Sequence, residues 1–274
     1  MSKIIAMLDG GLGNKLNCLF SSVYISKLYN KTLHINNVRS NFSDFDLRKL
    51  FNIPYEYTEY TSTELDSKIP SDIPIFLHKE HFKYNRKKFN LSSLNSSYND
   101  FIYLTDRLRA GENNLEDIIN HISINQDILQ NVNKFVLENN IDEKTLGIHI
   151  RCTDSSERSE NISQSTSLIK AKQNKKIFVC TDEKEIKNII SEYDNIITYP
   201  VKDFVEKFNK NLDWRGSITD SDNRKWNYNV SRSETSTIEA FVELLILSKT
   251  NIITKNKSTF LSWATRYKKY NFCT

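Results

Sequence analysis

The N-terminal segment carries the hydrophobic pattern of a strand, a turn, a helix and a second strand. The apolar run at residues 3–8 predicts a short strand, and the glycine-rich residues 9–14 predict a turn. Apolar residues then recur with the spacing of a helical face, at Leu16, Leu19, Phe20 and Val23. Residues 32–35 predict the second strand. This order of elements favours a parallel sheet.

The same alternation of strand and helix patterns returns after residue 145. Short apolar runs predict strands at residues 146–151, 176–180, 196–199 and 251–254. Helical spacing predicts helices at residues 183–193 and 236–248, and a last helix that begins near Ser258. In parallel sheets of this kind, ligands bind beyond the carboxyl ends of the strands.

The stretch between these regions is less regular. It predicts a short helix at residues 44–51, a strand at 73–77, and helical patterns at 115–122 and 128–136. We therefore predict an α/β protein with two halves rich in alternating strands and helices, which join near Asn139 and Asn140. The predicted domains are residues 1–140 and residues 141–274.

Composition narrows the class of protein. The chain of 274 residues is 38% hydrophobic and 26% charged, which excludes an intrinsically disordered chain. A formal net charge of +4 is too small to indicate a nucleic-acid partner. The cysteines form no CxxC pair, so neither a zinc site nor a disulfide framework is indicated. No run resembles a signal peptide or a membrane span. We expect a cytoplasmic protein with free thiols.

Polar residues cluster where the predicted strands of the second half end. His149 and Arg151 share one face of the first strand, because side chains alternate along a strand. Residues 181–182 follow the next strand, and residues 258–259 open the last helix. A helix N-terminus with hydroxyl groups, faced by an arginine, suits a phosphate. The cluster therefore indicates a phosphorylated ligand, although helix caps, a core histidine and a structural ion pair are alternative explanations.

The turn Gly10-Gly11-Leu12-Gly13-Asn14 lies between the first strand and the first helix. Its spacing matches neither the phosphate-binding P-loop nor the G-x-G-x-x-G motif. Glycines allow the backbone to approach a ligand closely. The other explanation is a tight connection between strand and helix.

Four segments, in the right order along the chain, resemble motifs of the fucosyltransferases. Residues 10–14 and the helix that follows resemble the N-terminal glycine motif of the α-1,2-fucosyltransferases. His149-Ile150-Arg151-Cys152-Thr153-Asp154 resembles the H-x-R-R-x-D motif of the α-1,2-, α-1,6- and protein O-fucosyltransferases. Residues 177–182 resemble their next strand with its Ser/Thr-Asp end. Residues 243–263 resemble their last block, which contains an acidic helix residue and a Ser-Ser/Thr-Phe turn.

This resemblance implies a GT-B-like fold of two Rossmann-like domains with the donor site in the cleft. The C-terminal domain would hold GDP-fucose, and the N-terminal domain would lie on the acceptor side. Arg151 would stabilise the leaving β-phosphate, and Asp182 would support the ribose or the base. His149 and Glu243 would lie near guanosine, with Glu243 accepting hydrogen bonds from the guanine ring. Further donor contacts are implied for Gly11, Gly13, Asn14, Ser258, Thr259 and Phe260.

The implied reaction is an inverting transfer of fucose to a hydroxyl of an oligosaccharide or surface glycan. It needs one base near that hydroxyl. The candidates are Asp154, Glu157 and Glu160 beyond the strand, and Asp9 beside the glycine turn. We expect no metal ion and no cofactor besides the donor. Residues 78–81 and 220–222, which contain His or Asp pairs, are interpreted as solvent-exposed loops.

Cys152 stands where the H-x-R-R-x-D motif has its second arginine. A cysteine cannot supply the paired N–H groups of a guanidinium. Three hypotheses follow. The chain is a fucosyltransferase in which a basic residue of the loop at 214–232 substitutes, a transferase that uses another GDP-sugar, or a non-catalytic nucleotide- or glycan-binding protein on a degenerate transferase fold.

Overall fold

The computed structural model of the chain divides it into two compact units, Met1–Ile124 and Asn125–Thr274. It describes residues 2–39, 43–61, 75–77, 88–89, 100–105, 108, 112–119, 121–153, 155–219, 225–226, 229–254 and 258–270. Each unit contains a parallel β-sheet with helices packed against it. Among the described helices, none is both long enough and apolar enough to cross a membrane.

A six-stranded sheet forms the centre of the first unit. The strands of this unit are β1 (Lys3–Leu8), β2 (Thr32–Arg39), β3 (Phe51–Asn52), β4 (Glu56–Thr61), β5 (Ile75–Leu77), β6 (Lys88–Phe89), β7 (Phe101–Leu104) and β8 (Ser123–Ile124). The sheet order is β4-β2-β1-β7-β5-β6, with parallel neighbours, while β3 and β8 form a separate antiparallel pair. All side chains from Ile4 to Leu8 are buried, as expected of a central strand covered on both faces.

Helix α1 (Leu12–Leu28) packs against β1 and against helix α2 (Glu112–Ile119). The strand–helix–strand unit predicted at the N-terminus is therefore present. The helix predicted at residues 44–51 is instead a single 3₁₀ turn, Leu47–Lys49. The Asp46 carboxylate accepts the backbone N–H of Arg48 at 2.9 Å and also binds its guanidinium, which favours one capped turn over a longer helix.

A four-stranded parallel sheet forms the centre of the second unit. The strands of this unit are β9 (Leu146–Ile150), β10 (Ile177–Thr181), β11 (Ile196–Ile197), β12 (Ile218–Thr219), β13 (Lys225–Trp226) and β14 (Asn251–Ile252), and the sheet order is β11-β10-β9-β14. The helices are α3 (Gln126–Glu138), α4 (Arg158–Ala171), α5 (Lys184–Ile190), α6 (Glu234–Ser248) and α7 (Thr259–Tyr270). The alternating pattern thus predicted this sheet, although β11 and β14 are shorter than predicted.

Helix α3 packs within the second compact unit. Helix α3 packs against α6, and Phe135 of α3 contacts the rings of Phe178 and Tyr199 edge-on, with centroids 6.2 and 5.2 Å away. These contacts place α3 in the compact unit Asn125–Thr274, while the division into functional domains at residue 140 stays a prediction. The sequence shows the apolar face of α3 but not the partner of that face.

Strand β9 and the end of α6 approach each other at Gly147. A Cβ atom at this position would lie 2.0 Å from Thr250 Oγ1 and 2.8 Å from Leu247 Cδ1, so only glycine fits. The Gly147 carbonyl accepts the N–H of Ile253 at 3.0 Å. This close approach places the segment after β14 beside the carboxyl end of β9.

Cys18 in the first unit and Cys152 and Cys180 in the second are free and buried. Burial raises the pKa of the Cys18 and Cys152 thiols to about 12, and it raises the pKa of Cys180 as well. All three are therefore neutral thiols at physiological pH.

Candidate functional site

His149 joins two of the polar clusters predicted from the sequence. Its ring stacks on the ring of Phe260, with centroids 4.6 Å apart and planes inclined by 20°. Its backbone N–H donates to Thr254 Oγ1 at 2.9 Å. The histidine, on β9, is thus fixed both to the segment after β14 and to the first turn of α7. These segments lie together at the carboxyl edge of the sheet.

Helix α7 begins beside this histidine. The buried Ser258 precedes the helix, and its carbonyl accepts the N–H and the hydroxyl of Ser262 at 3.0 and 3.1 Å. Thr259, the first helical residue, is exposed. The N–H groups of a first helical turn lack partners within the helix and carry the positive end of its dipole, so this turn can bind an anion.

Asp182 holds the loop that follows β9. Its carboxylate accepts the N–H of Cys152 at 2.9 Å, the N–H of Thr153 at 3.3 Å and the Thr153 hydroxyl at 2.7 Å. This contact between the exits of β9 and β10 gives Asp182 a structural task. The ribose or base contact implied for it remains a prediction.

Arg151 lies at the exit of β9, between His149 and the loop that Asp182 holds. The side-chain amide of Asn161, on α4, donates to the Arg151 carbonyl at 3.0 Å and to Ser155 Oγ at 3.1 Å. The backbone on both sides of the half-buried Arg151 side chain is therefore fixed by hydrogen bonds. An arginine on a fixed backbone at this edge of the sheet is suited to a negative charge that develops during a reaction.

Cys152 supplies no charge to this edge. Its side chain is buried, with Sγ 3.8 Å from the Ile150 carbonyl oxygen and 3.8 Å from Thr181 Oγ1. The nearby cation is Arg158, in the first turn of α4. Its Nε and Nη2 donate to the two carboxylate oxygens of the buried Glu183 at 3.0 and 2.6 Å. This paired geometry raises the pKa of the Arg158 guanidinium.

A cavity of about 580 Å³ opens beyond the ends of β9 and β10. Cys152, Thr153 and Arg158 line one side, and residues 183–185 line another. The loop after β11 contributes Val205, Lys207, Asp213, Trp214 and Arg215. One of the alternatives that the sequence left open for Cys152 was that a basic residue of the 214–232 loop substitutes for the missing arginine. The structure places Arg215 of that loop at the same cavity as Cys152, and it adds Arg158, Lys184 and Lys207, which the sequence interpretation missed.

Asn229 fixes the loop that carries Trp214. Its side-chain oxygen accepts the N–H of Asn209 at 2.7 Å, and its amide group donates to the carbonyls of Asn209 and Leu212 at 2.7 and 3.2 Å. Its backbone N–H donates to the Trp214 carbonyl at 2.8 Å. Asn229 is completely buried, so this loop has a polar anchor of its own.

Glu243 is buried on α6. Burial raises the pKa of its carboxyl group, while the nearby positive charge of Lys187 lowers it. The Lys187 ammonium donates to the Tyr199 carbonyl and faces the Phe204 ring. The carboxylates of Glu239 and Asp182 act on Glu243 in the opposite direction to Lys187 and raise its pKa. The contact of Glu243 with guanine remains a prediction.

The glycine turn of the first unit has a defined geometry. Gly10 has φ = +84°, in the region that favours glycine, and its N–H donates to Asp9 Oδ1 at 2.7 Å. Gly11 is extended and precedes α1, and its carbonyl accepts the N–H of Asn14 at 3.0 Å. Gly13 and Asn14 therefore belong to the first turn of α1, whereas the sequence predicted that the turn before the helix extends to Asn14.

Lys15, next to that turn, is completely buried. Its ammonium donates to Asn37 Oδ1 and to the Val38 carbonyl, each at 2.8 Å, and lies 4.5 Å from the centre of the Phe45 ring. Burial lowers the pKa of Lys15 to about 7, against the opposing charge of Asp9. The sequence interpretation did not single out this lysine.

Two of the candidate bases lie on the surface. Glu157 and Glu160, at the start of α4, are exposed, and Glu160 accepts a hydrogen bond from Gln164 at 2.8 Å. Asp154, residues 78–81 and residues 220–222 lie outside the described residues. Within the described part of the chain, no group of three or more His, Cys, Asp or Glu side chains could hold a metal ion.

Solved structures share the fold described above. NodZ α-1,6-fucosyltransferase soaked with GDP-fucose aligns with a TM-score of 0.58 and 15% identity, over 97% of this chain and 92% of that chain. Fucosyltransferase NodZ from Bradyrhizobium aligns with the same TM-score and 14% identity, over 96% and 91% of the two chains. This chain has the fold of NodZ. The predicted fold class, α/β and GT-B-like, is confirmed.

NodZ co-crystallised with GDP also aligns, with a TM-score of 0.58 and 13% identity, over 96% of this chain and 91% of that chain. At these identities the similarity to NodZ concerns the fold, and a fold by itself does not define a function. No model of a protein family matches this chain, and no curated protein matches it in sequence.

Proposed function

We propose that this protein is an inverting, metal-independent glycosyltransferase that moves fucose from GDP-fucose to a hydroxyl of a glycan. The observation that carries the proposal is the stacking of His149 on Phe260. It brings the segment that resembles the H-x-R-R-x-D motif into contact with the segment that resembles the Ser-Ser/Thr-Phe turn, in a chain with the fold of NodZ.

The proposed chemistry follows from the charges at this edge of the sheet. The acceptor oxygen attacks the anomeric carbon of fucose, the bond from that carbon to the β-phosphate breaks, and GDP leaves. Arg151 and the first turn of α7 stabilise the negative charge that develops on the phosphate, which is the task a metal ion performs elsewhere. The acceptor proton passes to a carboxylate, for which Asp154, Glu157 and Glu160 are the candidates.

A thermal-shift experiment with GDP, UDP and CMP at equal concentration tests the nucleotide. A ligand that binds only the folded protein raises its melting temperature, so GDP should raise it and the other two should not. Equal shifts for all three, or no shift for GDP, would contradict the proposal.

Cys152 is the observation that favours a second candidate, a transferase for another GDP-sugar. The thiol is buried and neutral, so the position lacks the second cation of the motif. Turnover of GDP-fucose and GDP-mannose with a mixed glycan acceptor separates the two candidates. Binding of GDP without turnover of either sugar would favour the non-catalytic alternative.

A further inference from the structure

None of the residues assigned to the donor lines the cavity beyond β9 and β10, although Cys152, the neighbour of Arg151, does. In the sheet, β9 lies between β10 and β14. The contact between His149 and Phe260 lies on the β14 side of β9, whereas the cavity lies on the β10 side. Neighbouring strands are about 4.8 Å apart, so a ligand in the cavity would lie next to a donor held by Arg151.

Two walls of this cavity are fixed before any ligand binds. On one wall, Glu183 holds Arg158 through two hydrogen bonds, which leaves other guanidinium N–H directions on this cavity-lining side chain. Trp214, another cavity-lining residue, lies on a loop that the buried Asn229 fixes through a backbone hydrogen bond to the Trp214 carbonyl at 2.8 Å. A preorganised wall reduces the ordering cost of binding, which favours a binding role for the cavity.

The side chains of the cavity indicate the class of ligand. Trp214 offers an aromatic surface, and the ammonium of Lys207 lies 5.5 Å from the centre of its ring. Glu185 and Asp213 supply acceptors for hydroxyl groups, and Arg215 supplies donors. An aromatic ring stacks on the apolar face of a pyranose, while the carboxylates bind its hydroxyls. The lining contains four cations, Arg158, Lys184, Lys207 and Arg215, against three carboxylates, Glu183, Glu185 and Asp213. Because Glu183 is already paired with Arg158, the other cations favour a sugar that carries a negative group.

We propose that this cavity binds an anionic sugar residue of the acceptor glycan, with Trp214 as the stacking surface and Lys207 as the partner of the negative group. The inference rests on the proposed glycosyltransferase function, because only a transferase needs an acceptor sugar beside its donor. The shared chemistry of the ligand is a pyranose with an anionic substituent, either a carboxylate or a phosphate.

Saturation-transfer NMR on the full chain, with two matched sets of sugars, tests the proposal. One set is glucose, glucuronate and glucose 6-phosphate, and the other is the corresponding galactose set. We expect a clear saturation-transfer signal from at least one anionic sugar and a signal at least about fivefold weaker from its neutral counterpart. The reason is that charge-assisted hydrogen bonds are roughly twice as strong as neutral ones. The carboxylate and phosphate arms identify which anion is preferred.

Four variants locate the binding. Trp214→Ala should weaken binding of the preferred sugar at least about fivefold, since buried Trp contacts often cost more than 1 kcal/mol when truncated. Trp214→Phe should retain most of the binding. Lys207→Met should reduce the preference for the anionic over the neutral sugar. Lys210→Met is the matched control, because Lys210 is an exposed lysine of the same loop that does not line the cavity.

Three results would overturn the proposal: no transfer to any of the six sugars, equal transfer to neutral and anionic sugars, or unchanged binding by Trp214→Ala. A loss of GDP binding in Trp214→Ala would also overturn it, because the cavity would then belong to the donor. A parallel titration with GDP keeps the two proposals apart. If GDP stabilises the protein but no sugar binds, only the acceptor inference fails, and if no nucleotide binds, the proposed transferase function fails.

Discussion

The rings of His149 and Phe260 stack with their centroids 4.6 Å apart, and this contact joins β9 to the first turn of α7. An aromatic pair contributes about 0.5–1.5 kcal/mol beyond its burial. Phe260→Ala should therefore lower the free energy of unfolding of the second unit by at least about that amount, because the variant also loses the buried surface of the ring. It should also weaken GDP binding, because the start of α7 loses its fixed position.

Phe260→Tyr retains the ring and serves as the control for this first prediction. Calorimetric titration with GDP and thermal denaturation measure the two effects. Wild-type GDP affinity in Phe260→Ala would show that the stacked pair is a packing contact without a role in donor binding.

Arg151→Ala should reduce turnover by about 10²–10³-fold, the usual cost of removing one preorganised electrostatic group. The turnover of Arg151→Lys should lie between that of the wild type and that of Arg151→Ala, since an ammonium retains the charge but cannot form the paired hydrogen bonds of a guanidinium. Lys175→Ala, which removes an exposed cation at the other end of the sheet, is the control. Initial rates with GDP-fucose give the answer once thermal denaturation confirms that each variant is folded. A fully active Arg151→Ala protein would exclude Arg151 from the chemistry.

Glu243 should determine which nucleobase of the donor the protein prefers. Only an ionised carboxylate can accept both guanine N–H groups, and burial raises the pKa of Glu243 above its ordinary value. The ionised fraction, and with it the affinity for GDP, should therefore increase as the pH rises through neutrality. Glu243→Gln should abolish this dependence, weaken GDP binding by about 1.5–3 kcal/mol, and narrow the gap between GDP and UDP. Calorimetry at several pH values tests this, and an unchanged GDP affinity in the variant would assign Glu243 a structural role.

Activity should survive treatment with EDTA, because Arg151 and the first turn of α7 are proposed to perform the task of a divalent ion. Rates are compared before and after chelation and gel filtration. Complete loss of activity, restored by Mg²⁺ or Mn²⁺, would contradict this expectation. It would direct attention to Asp220 and Asp222.

Lys15 should make the first unit more stable in mildly alkaline solution. Burial lowers its pKa from 10.5 to about 7, so between these values the unfolded chain binds the proton and the folded unit does not. Stability then rises with pH across this window, by up to ~1 kcal/mol per pH unit for one group. Lys15→Met, of similar size, should lack the effect. Urea denaturation of both proteins at pH 7 and pH 9 measures it, and equal pH dependences would show that Lys15 does not titrate in this range.

The sequence predicted the main strands and helices, because their hydrophobic patterns depend only on residues that are close in sequence. The apolar runs that became β9 and β10 and the spacing along α6 are examples. The edge strands β11 and β14 were predicted too long, since pairing with a neighbour, and not apolarity, decides where a strand ends. The packing of α3 against α6 was not predicted, because this contact joins residues far apart in sequence.

The candidate site was predicted in part for the same reason. Residues close in sequence, such as His149 and Arg151, share an edge whenever the strand is predicted correctly. The pair of Arg158 and Glu183 and the anchoring of the Trp214 loop by Asn229 join residues that no local pattern connects. The cavity that they shape could be found only in three dimensions.

The buried thiols give each unit an internal reporter of its opening. Cys18 lies in the first unit, and Cys152 and Cys180 lie in the second, and all three are shielded and protonated at neutral pH. A thiol reagent can reach them only when the surrounding structure opens. The labelling rate of each cysteine, measured on its peptide by mass spectrometry, therefore reports how often the surrounding unit opens. A decrease in that rate when GDP is added identifies the unit that the nucleotide stabilises.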